Sequence, residues 1–309
     1  MATTTTPNVR FAALPPAAGR AGLRGALASE FTKLRSVRST YWTLGALFIV
    51  SVGLDVAITA GTASNMVNNP GNKAGFDATQ ASLGAFFEIG QLINAVLGAM
   101  VITSEYSTGM IRTSLTAQPR RGVVYAAKAI VFTAVTLVIS IVTAFIAFFI
   151  GQAIYSSKGV SASLFHTVTV PANANVNCGP GGCTATFSGT DVINPSTVLT
   201  AIIGTALFVT IVALIAYGVG AILRHTAGAI ATVIALLFII PILEQTLPND
   251  WRWDIMRFLP DAANQVVSLT IASDGPGHLW SAWPQLGVTA LWAAVLVGIG
   301  AYLFRKRDA

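Results

Sequence analysis

The sequence predicts an all-α polytopic membrane protein, and three observations support this fold class. Charged residues make up only 10% of the 309 residues and hydrophobic residues 54%, whereas a soluble domain carries about a quarter charged residues. Six apolar stretches are each long enough to cross about 30 Å of hydrocarbon as a helix. The basic residues are sorted unevenly between the gaps that separate these stretches, as membrane orientation requires.

The predicted spans are residues Tyr41–Gly61, Leu83–Thr103, Val123–Gly151, Val198–Ala221, Gly228–Leu247 and Leu286–Phe304. When the gaps are assigned alternately to the two sides, 14 of the 18 basic residues share a side with both ends of the chain. The positive-inside rule therefore predicts cytoplasmic termini. Short basic clusters beside the membrane also explain the pI near 9.6 without a nucleic-acid partner, since they form no separate basic domain.

The first 22 residues are rich in Thr, Ala and Pro and lack the apolar core of a signal peptide, so we expect a disordered cytoplasmic tail. Residues 23–309 then form a single six-helix transmembrane domain. At its start, Leu23, Leu27 and Phe31 recur at helical spacing. This pattern favours an amphipathic interfacial helix over Leu23–Arg38, although Glu30 falls within its apolar sector.

Two external gaps are long. The insert 152–197 contains β-type segments at Leu164–Val170 and Thr184–Phe187, with the chain's two cysteines, Cys178 and Cys183, between them. Short spacing in an oxidising compartment favours a disulfide; metal binding is the alternative, but two thiols make only half of a zinc site. The gap 248–285 carries four tryptophans, which indicates short helices at the outer membrane surface.

The internal stretch Ser104–Arg121 mixes polar and apolar residues and ends in a Pro-Arg-Arg sequence. This composition predicts a short helix at the cytoplasmic surface that could transmit force from a soluble partner.

Polar side chains inside the predicted spans are candidates for a substrate or ion pathway, because burying them in hydrocarbon is costly. Asp55 lies in the first span, on a polar stripe with Ser51 and Thr59. Glu88 lies in the second span with Gln91 and Asn94. A wet external vestibule would explain Asp55 and Glu88 equally well.

The sequence contains no motif of an enzyme active site. A GxxxxGK[ST] phosphate loop and a GxSxG nucleophile elbow are missing from the sequence, and no His, Cys and Asp cluster has the spacing of metal ligands. We therefore expect no catalytic residue, metal or cofactor on this chain.

Two segments carry a resemblance to a known family. The sequences SEYSTGMIRTSLTAQPRRGVVYAAK and ASEFTKLRSVRSTYWTL resemble the permease subunit of type-2 ATP-binding-cassette (ABC) transporters, in the form common in actinobacteria. The resemblance covers nearly the whole chain, but the cysteine-containing insert departs from the compact family pattern.

The resemblance implies an exporter permease of a bacterial plasma membrane. It implies a coupling helix over residues 105–121, with Glu105, Gly109, Arg112, Arg120 and Arg121 as the residues that connect to a separate ATPase. ATP and Mg would bind to that ATPase. A second permease copy, forming a homodimer, would complete the transporter within the lipid bilayer.

The alternative from a different class is a secondary transporter or channel that works without an ATPase and uses Asp55 and Glu88 as a relay. The missing signature of inverted repeats with broken helices counts against it. An intramembrane enzyme, which lacks a supporting motif, and a scaffold or immunity protein without transport activity are further alternatives.

Overall fold

The computed structural model describes residues 22–36, 38–68, 73, 76–117, 120–160, 162–179, 182–244, 246–260 and 282–306. Most of them are helical, and six of the helical segments are long and apolar enough to cross a membrane. The fold class expected from the sequence is confirmed: the chain is an all-α polytopic membrane protein with one small two-stranded sheet. The expected tail over residues 1–22 lies almost wholly outside the described residues.

Five of the six spanning helices are longer than the apolar stretches predicted for them, because polar residues continue the helix at its ends; the fifth span, over residues 226–244, is not. The helices are α1 Leu23–Ser36, α2 Arg38–Asn68, α3 Ala78–Ser107, α4 Met110–Ala117, α5 Arg121–Ser156, α6 Pro195–Leu223, α7 Thr226–Ile234, α8 Ile240–Glu244, α9 Asn249–Met256 and α10 Ala282–Lys306. The segment α1 confirms the helix expected at the start of the domain. In the external gap 248–285, α9 is a short helix that begins before the apolar run 255–260, where the first short helix was expected. The second short helix, expected over residues 266–271, lies outside the described residues.

Helix α6 forms the centre of the bundle, and 67% of the residues in its most apolar stretch are buried. It packs against α3, α5 and α10. Two glycines permit this close packing: a Cβ at Gly98 of α3 would meet the carbonyl oxygen of Ala213, and one at Gly218 would meet the backbone of Leu296 and Val297. Where a glycine lies at the crossing point, the backbones of two helices can come into direct contact.

The fifth span is interrupted before Pro241. A π-helical segment, Ala235–Ile239, separates α7 from α8. Proline has no N–H to donate and its ring crowds the preceding turn, and a π segment is one of the recognised ways in which a helix absorbs such a defect. The defect that Pro241 introduces therefore coincides with a local change in helical winding.

The external insert forms a β-hairpin. Strands β1 (Val168–Gly179) and β2 (Gly182–Ile193) pair antiparallel, and the register places Cys178 opposite Cys183. The expected strand start at Leu164 was wrong. The Ser163 hydroxyl accepts the backbone N–H groups of Phe165 and His166 at 3.1 and 3.4 Å, and this local turn delays the strand to Val168.

Several helix termini meet at one end of the bundle, called here the basic end. The Arg224 guanidinium at the end of α6 lies 4.8 Å from the ring centroid of Tyr106 in α3. The ring of Tyr106 lies 6.4 Å from that of Phe304 in α10. The Thr226 hydroxyl at the start of α7 donates to Thr103 at 2.9 Å. The opposite end, next to the β-hairpin, is called the hairpin end.

Candidate functional site at the basic end

A buried ion cluster joins three helices at the basic end. The ammonium group of Lys128, on the second turn of α5, donates to Glu30 Oε2 of α1 at 2.7 Å and to Glu105 Oε1 of α3 at 2.7 Å. All three side chains are at most 10% exposed. One lysine therefore links the helix before the first span to the end of the second span and the start of the third.

A second lysine completes the cluster from its solvent side. Lys33 Nζ of α1 donates to Glu30 Oε1 at 2.7 Å and lies 3.7 Å from Glu105 Oε1. It also donates to the Ser114 hydroxyl of α4 at 3.0 Å. The cluster consists of Glu30, Lys33, Glu105 and Lys128. Its charges sum to zero, and Ser114 connects it to α4.

The orientation of α1 explains how Glu30 reaches this cluster. Ala26 and Glu30, one helical turn apart, are 1% and 5% exposed, whereas Leu23 and Phe31 are 46% and 54% exposed. Ala26 lets α1 approach α5 closely, whereas Leu23 and Phe31 face away from the protein. This arrangement agrees with a helix whose apolar stripe contacts lipid. Glu30, which interrupts the stripe in the sequence, points to the protein.

The charges of the two lysines outweigh the cost of burial at Glu30. Burial alone would raise the pKa of the Glu30 carboxyl, but the ammonium groups of Lys128 and Lys33 hold it below its usual value of 4.5. Burial alone would lower the pKa of Lys33, but its bond to Glu30 and the charge of Glu105 raise it above 10.5. Both residues therefore remain charged near neutral pH.

The predicted coupling helix is shorter than expected, and its residues belong to three elements. Helix α4 spans only Met110–Ala117. Glu105 lies in the last turn of α3, Arg120 precedes α5, and Arg121 is the first residue of α5. Gly109 adopts φ +71° between α3 and α4 and has open space around it. The prediction of one helix over residues 105–121 was therefore wrong, because this left-handed glycine ends α3 and redirects the chain.

The turn between α3 and α4 is the most exposed part of this region. Residues 107–110 are all exposed, and Met110 has 46% of its surface accessible. Ile111 is buried and packs with Tyr125 and Phe304, which holds α4 against the bundle. The turn is therefore a short exposed segment that α4 joins to the packed part of the bundle. The side chain of Arg112 lies outside the described residues.

A family model described as "ABC-2 family transporter protein" matches residues 26–178 of the chain.

The chain belongs to the ABC-2 transporter family.

A comparison with curated proteins found no match. The family match contains every residue of the ion cluster, together with α4 and the first three spans. The chain is thus an ABC transporter permease.

The structure does not bring the polar residues predicted for a pathway together in this ABC-2 permease. Glu88 is exposed on α3 and accepts a bond from Gln91 at 3.3 Å. Gln91 and Asn94 are buried, and Asn94 donates to the Gly90 carbonyl at 2.9 Å. Asp55 is fully buried in α2. No contact among the described residues connects Asp55 with Glu88. A role for these residues in a pathway stays a prediction.

The two cysteines lie directly across the hairpin from each other. Opposed residues of an antiparallel pair have Cα atoms about 4.5–5.5 Å apart, which is within the range that a disulfide bridges. Their side chains lie outside the described residues, so the disulfide stays a prediction. Within the described residues, no group of three or more His, Cys, Asp or Glu side chains could hold a metal ion.

Proposed function

We propose that this chain is the permease subunit of an ABC exporter, moving a substrate outwards across the plasma membrane with ATP hydrolysed by a separate ATPase. The single observation that carries this proposal is the buried ion cluster behind the exposed turn at residues 107–110. A force applied at this turn reaches α3 directly, α4 through Ser114, and α1 and α5 through Glu30 and Lys128.

The orientation belongs to the same proposal. The basic end faces the cytoplasm and the hairpin end faces outwards, as the distribution of basic residues favours. An ATPase in the cytoplasm would then dock on α4 and the turn that precedes it. A second permease copy, related to the first by a two-fold axis as is commonest among homo-oligomers, would complete the translocation path.

The alternative of an ATPase-independent transporter receives less support. A relay needs its ionisable groups within reach of each other or of bound water. Asp55 is buried between helices while Glu88 is exposed on α3, so the two carboxylates named for this relay lack a described connection.

The proposal can be tested by reconstitution. The chain is coexpressed with a candidate ATPase that carries a phosphate loop, and the purified complex is placed in liposomes. We expect copurification at a fixed ratio, together with ATP hydrolysis that depends on the permease. Met110→Glu and Arg112→Glu should weaken the association and abolish transport while membrane insertion stays normal, whereas Arg112→Lys tests whether a point charge is sufficient.

A matched control comes from the hairpin end. Phe165 is 84% exposed, and Phe165→Glu adds the same single negative charge as Met110→Glu, at the opposite end of the bundle from the proposed docking surface. It should leave ATPase association unchanged. Full ATPase yield and full transport with both Met110→Glu and Arg112→Glu would contradict docking at this turn.

A further inference from the structure

An apolar groove runs along the sixth span at the hairpin end, and the coupling role proposed above does not use it. The groove has a volume of about 580 Å³ and lies between α10 and Phe258, which follows α9. Its lining residues on α10 recur at three- and four-residue steps and therefore share one face of the helix. They are Pro284, Gly287, Val288, Leu291, Trp292 and Val295.

The length of the groove matches one leaflet of a membrane. From Pro284 to Val295 the helix rises about 16 Å, and the hydrocarbon core of a bilayer is about 30 Å thick. Helix α10 ends at the basic end, where Phe304 packs near Tyr106. The groove therefore lies in the half of the bilayer nearer the hairpin end, which is the outer leaflet in the orientation proposed above.

The wall of the groove is apolar and accessible. Among the side chains that line it, only Trp292 carries a polar group, and its Nε1 donates to the Phe258 carbonyl at 2.8 Å. The same bond holds Phe258 against α10. Leu291 and Val295 are 63% and 49% exposed, and Gly287 has open space where a Cβ would be. The lining is thus suited to a hydrocarbon chain.

A pair of opposite charges lies beside the groove. The guanidinium of Arg257 lies 5.2 Å from the ring centroid of Phe258, and one of its terminal nitrogens is 3.1 Å from an oxygen of Asp254. The side chains of Arg257 and Asp254 are 33% and 60% exposed. A guanidinium has five N–H donors, so the bond to Asp254 leaves others for a ligand. The pair presents one cation and one anion, with no net charge, next to an apolar surface.

We propose that the groove binds one acyl chain of a membrane phospholipid whose phosphate is bound by Arg257. A planar guanidinium matches a phosphate well, because it can donate two parallel hydrogen bonds. The exposed carboxylate of Asp254 favours a headgroup that also carries an ammonium group, as in phosphatidylethanolamine, over one with a net negative charge, as in phosphatidylglycerol. Lipid tails are as apolar as the groove, so selectivity comes from this charge pattern and from the shape of the groove.

Two other occupants are a second copy of the chain and residues 261–281, which lie outside the described residues. A helix from either would have to fit a narrow space. Divided by the length of the groove, its volume gives a cross-section of about 35 Å², whereas an α-helix about 10 Å in diameter fills about 80 Å². An extended hydrocarbon chain is far thinner than a helix, so these dimensions favour the lipid.

The test compares two glycines on the same face of α10. Gly287 lines the groove, while Gly298 lies about three turns closer to the basic end and also has open space around it. The chain is purified in mild detergent without ATP or an ATPase, and its bound phospholipids are extracted and counted by mass spectrometry. Gly287→Leu places a side chain in the groove and should lose one equivalent of phosphatidylethanolamine. Gly298→Leu should retain the wild-type amount.

The headgroup assignment is tested by titrating lipid-depleted protein with phosphatidylethanolamine and with phosphatidylglycerol, followed by native mass spectrometry. Arg257→Gln removes a hydrogen bond to a charged group and should weaken the binding of phosphatidylethanolamine about tenfold. Asp254→Asn should shift the preference towards phosphatidylglycerol. Both variants alter partly exposed side chains, so they keep the proposal testable if Gly287→Leu fails to fold.

A photoreactive benzophenone side chain in place of Val288 identifies the occupant, and the crosslinked product should contain a phospholipid. A product that contains a second copy of the chain, or one joined to residues 261–281, would overturn the proposal. Equal lipid retention by wild type and Gly287→Leu would also overturn it, as would unchanged affinity for phosphatidylethanolamine in Arg257→Gln. Because no ATPase takes part, these results are independent of whether the coupling proposal holds.

Discussion

Glu30 and Lys128 lie 98 residues apart in the sequence, and their side chains form a 2.7 Å ion pair in the interior of the protein. This pair attaches α1 to the third span. Because the carboxylate of Glu105 binds the same ammonium group, movement of any one of the three helices changes the environment of the other two. The first prediction tests this arrangement.

Replacing Lys128 by Met should destabilise the protein far more than replacing Lys33 by Met. Lys128→Met leaves two buried carboxylates without their main partner, and losing one side of a buried pair costs about 3–5 kcal/mol. The side chain of Lys33 is 32% exposed, so its loss should cost about 0–1 kcal/mol. The measurement is the free energy of unfolding from dodecyl sulfate titration in mixed micelles. Equal losses would show that Lys128 is not the central residue of the cluster.

Replacing Asp77 by Asn should stabilise the protein at neutral pH. Burial raises the pKa of the Asp77 carboxyl from 3.8 to about 6, despite bonds from the N–H groups of Thr79 and Gln80 at 2.8 and 3.0 Å. Because the folded pKa lies above the unfolded one, the stabilising contribution is complete below pH 3.8 and is lost as the pH rises through about 6.

In the Asp77→Asn variant the side chain still caps α3 but carries no charge. The unfolding midpoint of this variant should therefore not show the decline that the wild type shows between pH 4 and 6. The shift of about two units corresponds to about 3 kcal/mol. Asp77→Ala, which also removes the cap, should lose about 1 kcal/mol relative to Asn. Parallel pH profiles of wild type and Asp77→Asn would contradict the assignment.

Gly98→Ala should disrupt the packing of α3 on α6, whereas Gly53→Ala should not. A methyl group at Gly98 meets the backbone of Ala213, which cannot move aside as a side chain could, while Gly53 has open space around it. Overpacking costs about 1–3 kcal/mol, and Ala in place of Gly in an open helix position gains about 0.4–1 kcal/mol. Thermal midpoints of the two variants should therefore move in opposite directions. A midpoint for Gly98→Ala at or above that of wild type would refute the close approach.

Cysteine labelling should place residue 107 and residue 165 on opposite sides of the membrane. In a background without Cys178 and Cys183, an impermeant reagent should label Phe165→Cys in intact cells and Ser107→Cys only after lysis. The expected result follows from the excess of basic residues at the basic end. Labelling of Ser107→Cys without lysis would show that the orientation is the reverse of the expected one. A cytoplasmic ATPase would then have no access to the turn at residues 107–110.

Cys178 and Cys183 should form a disulfide in the purified, oxidised protein. Mass spectrometry should find two alkylated thiols only after reduction. The bond closes a very short loop, so its removal should affect the hairpin and leave the thermal midpoint of the helical bundle nearly unchanged. Two free thiols before reduction, in protein isolated without reductant, would disprove the pairing.

The spans could be predicted from the sequence because their signal is local. About 20 consecutive apolar residues are sufficient to identify a membrane helix, whatever it packs against. The stripe Leu23, Leu27 and Phe31 likewise predicted α1. The ion cluster has no such local signal. Glu30 interrupts the stripe, and nothing near it in the sequence identifies Lys128 as its partner.

Two further differences between the elements predicted from the sequence and those in the structure arise from single residues. Gly109 ends α3, which places Glu105 in a span and shortens α4; a glycine after the polar run Ser107-Thr108 was a detectable sign of a helix end. Ser163 forms a turn that competes with extended structure at Leu164, although Phe165 and Val168 have high β-propensity. In both places a turn residue outweighed the composition of its neighbours.

The winding of the fifth span has a consequence for its surface. Successive residues of an α-helix are rotated by about 100° about the helix axis. The wider π-helical turn at Ala235–Ile239 changes this angle, and so changes the side of the span on which Ile242 and Leu243 lie. Both are exposed, at 63% and 58%. Deleting one residue from this segment would rotate the pair by about 100° about the helix axis and bring other residues to the lipid. The side of the outer half of this helix that meets lipid is therefore determined by one local irregularity next to a proline.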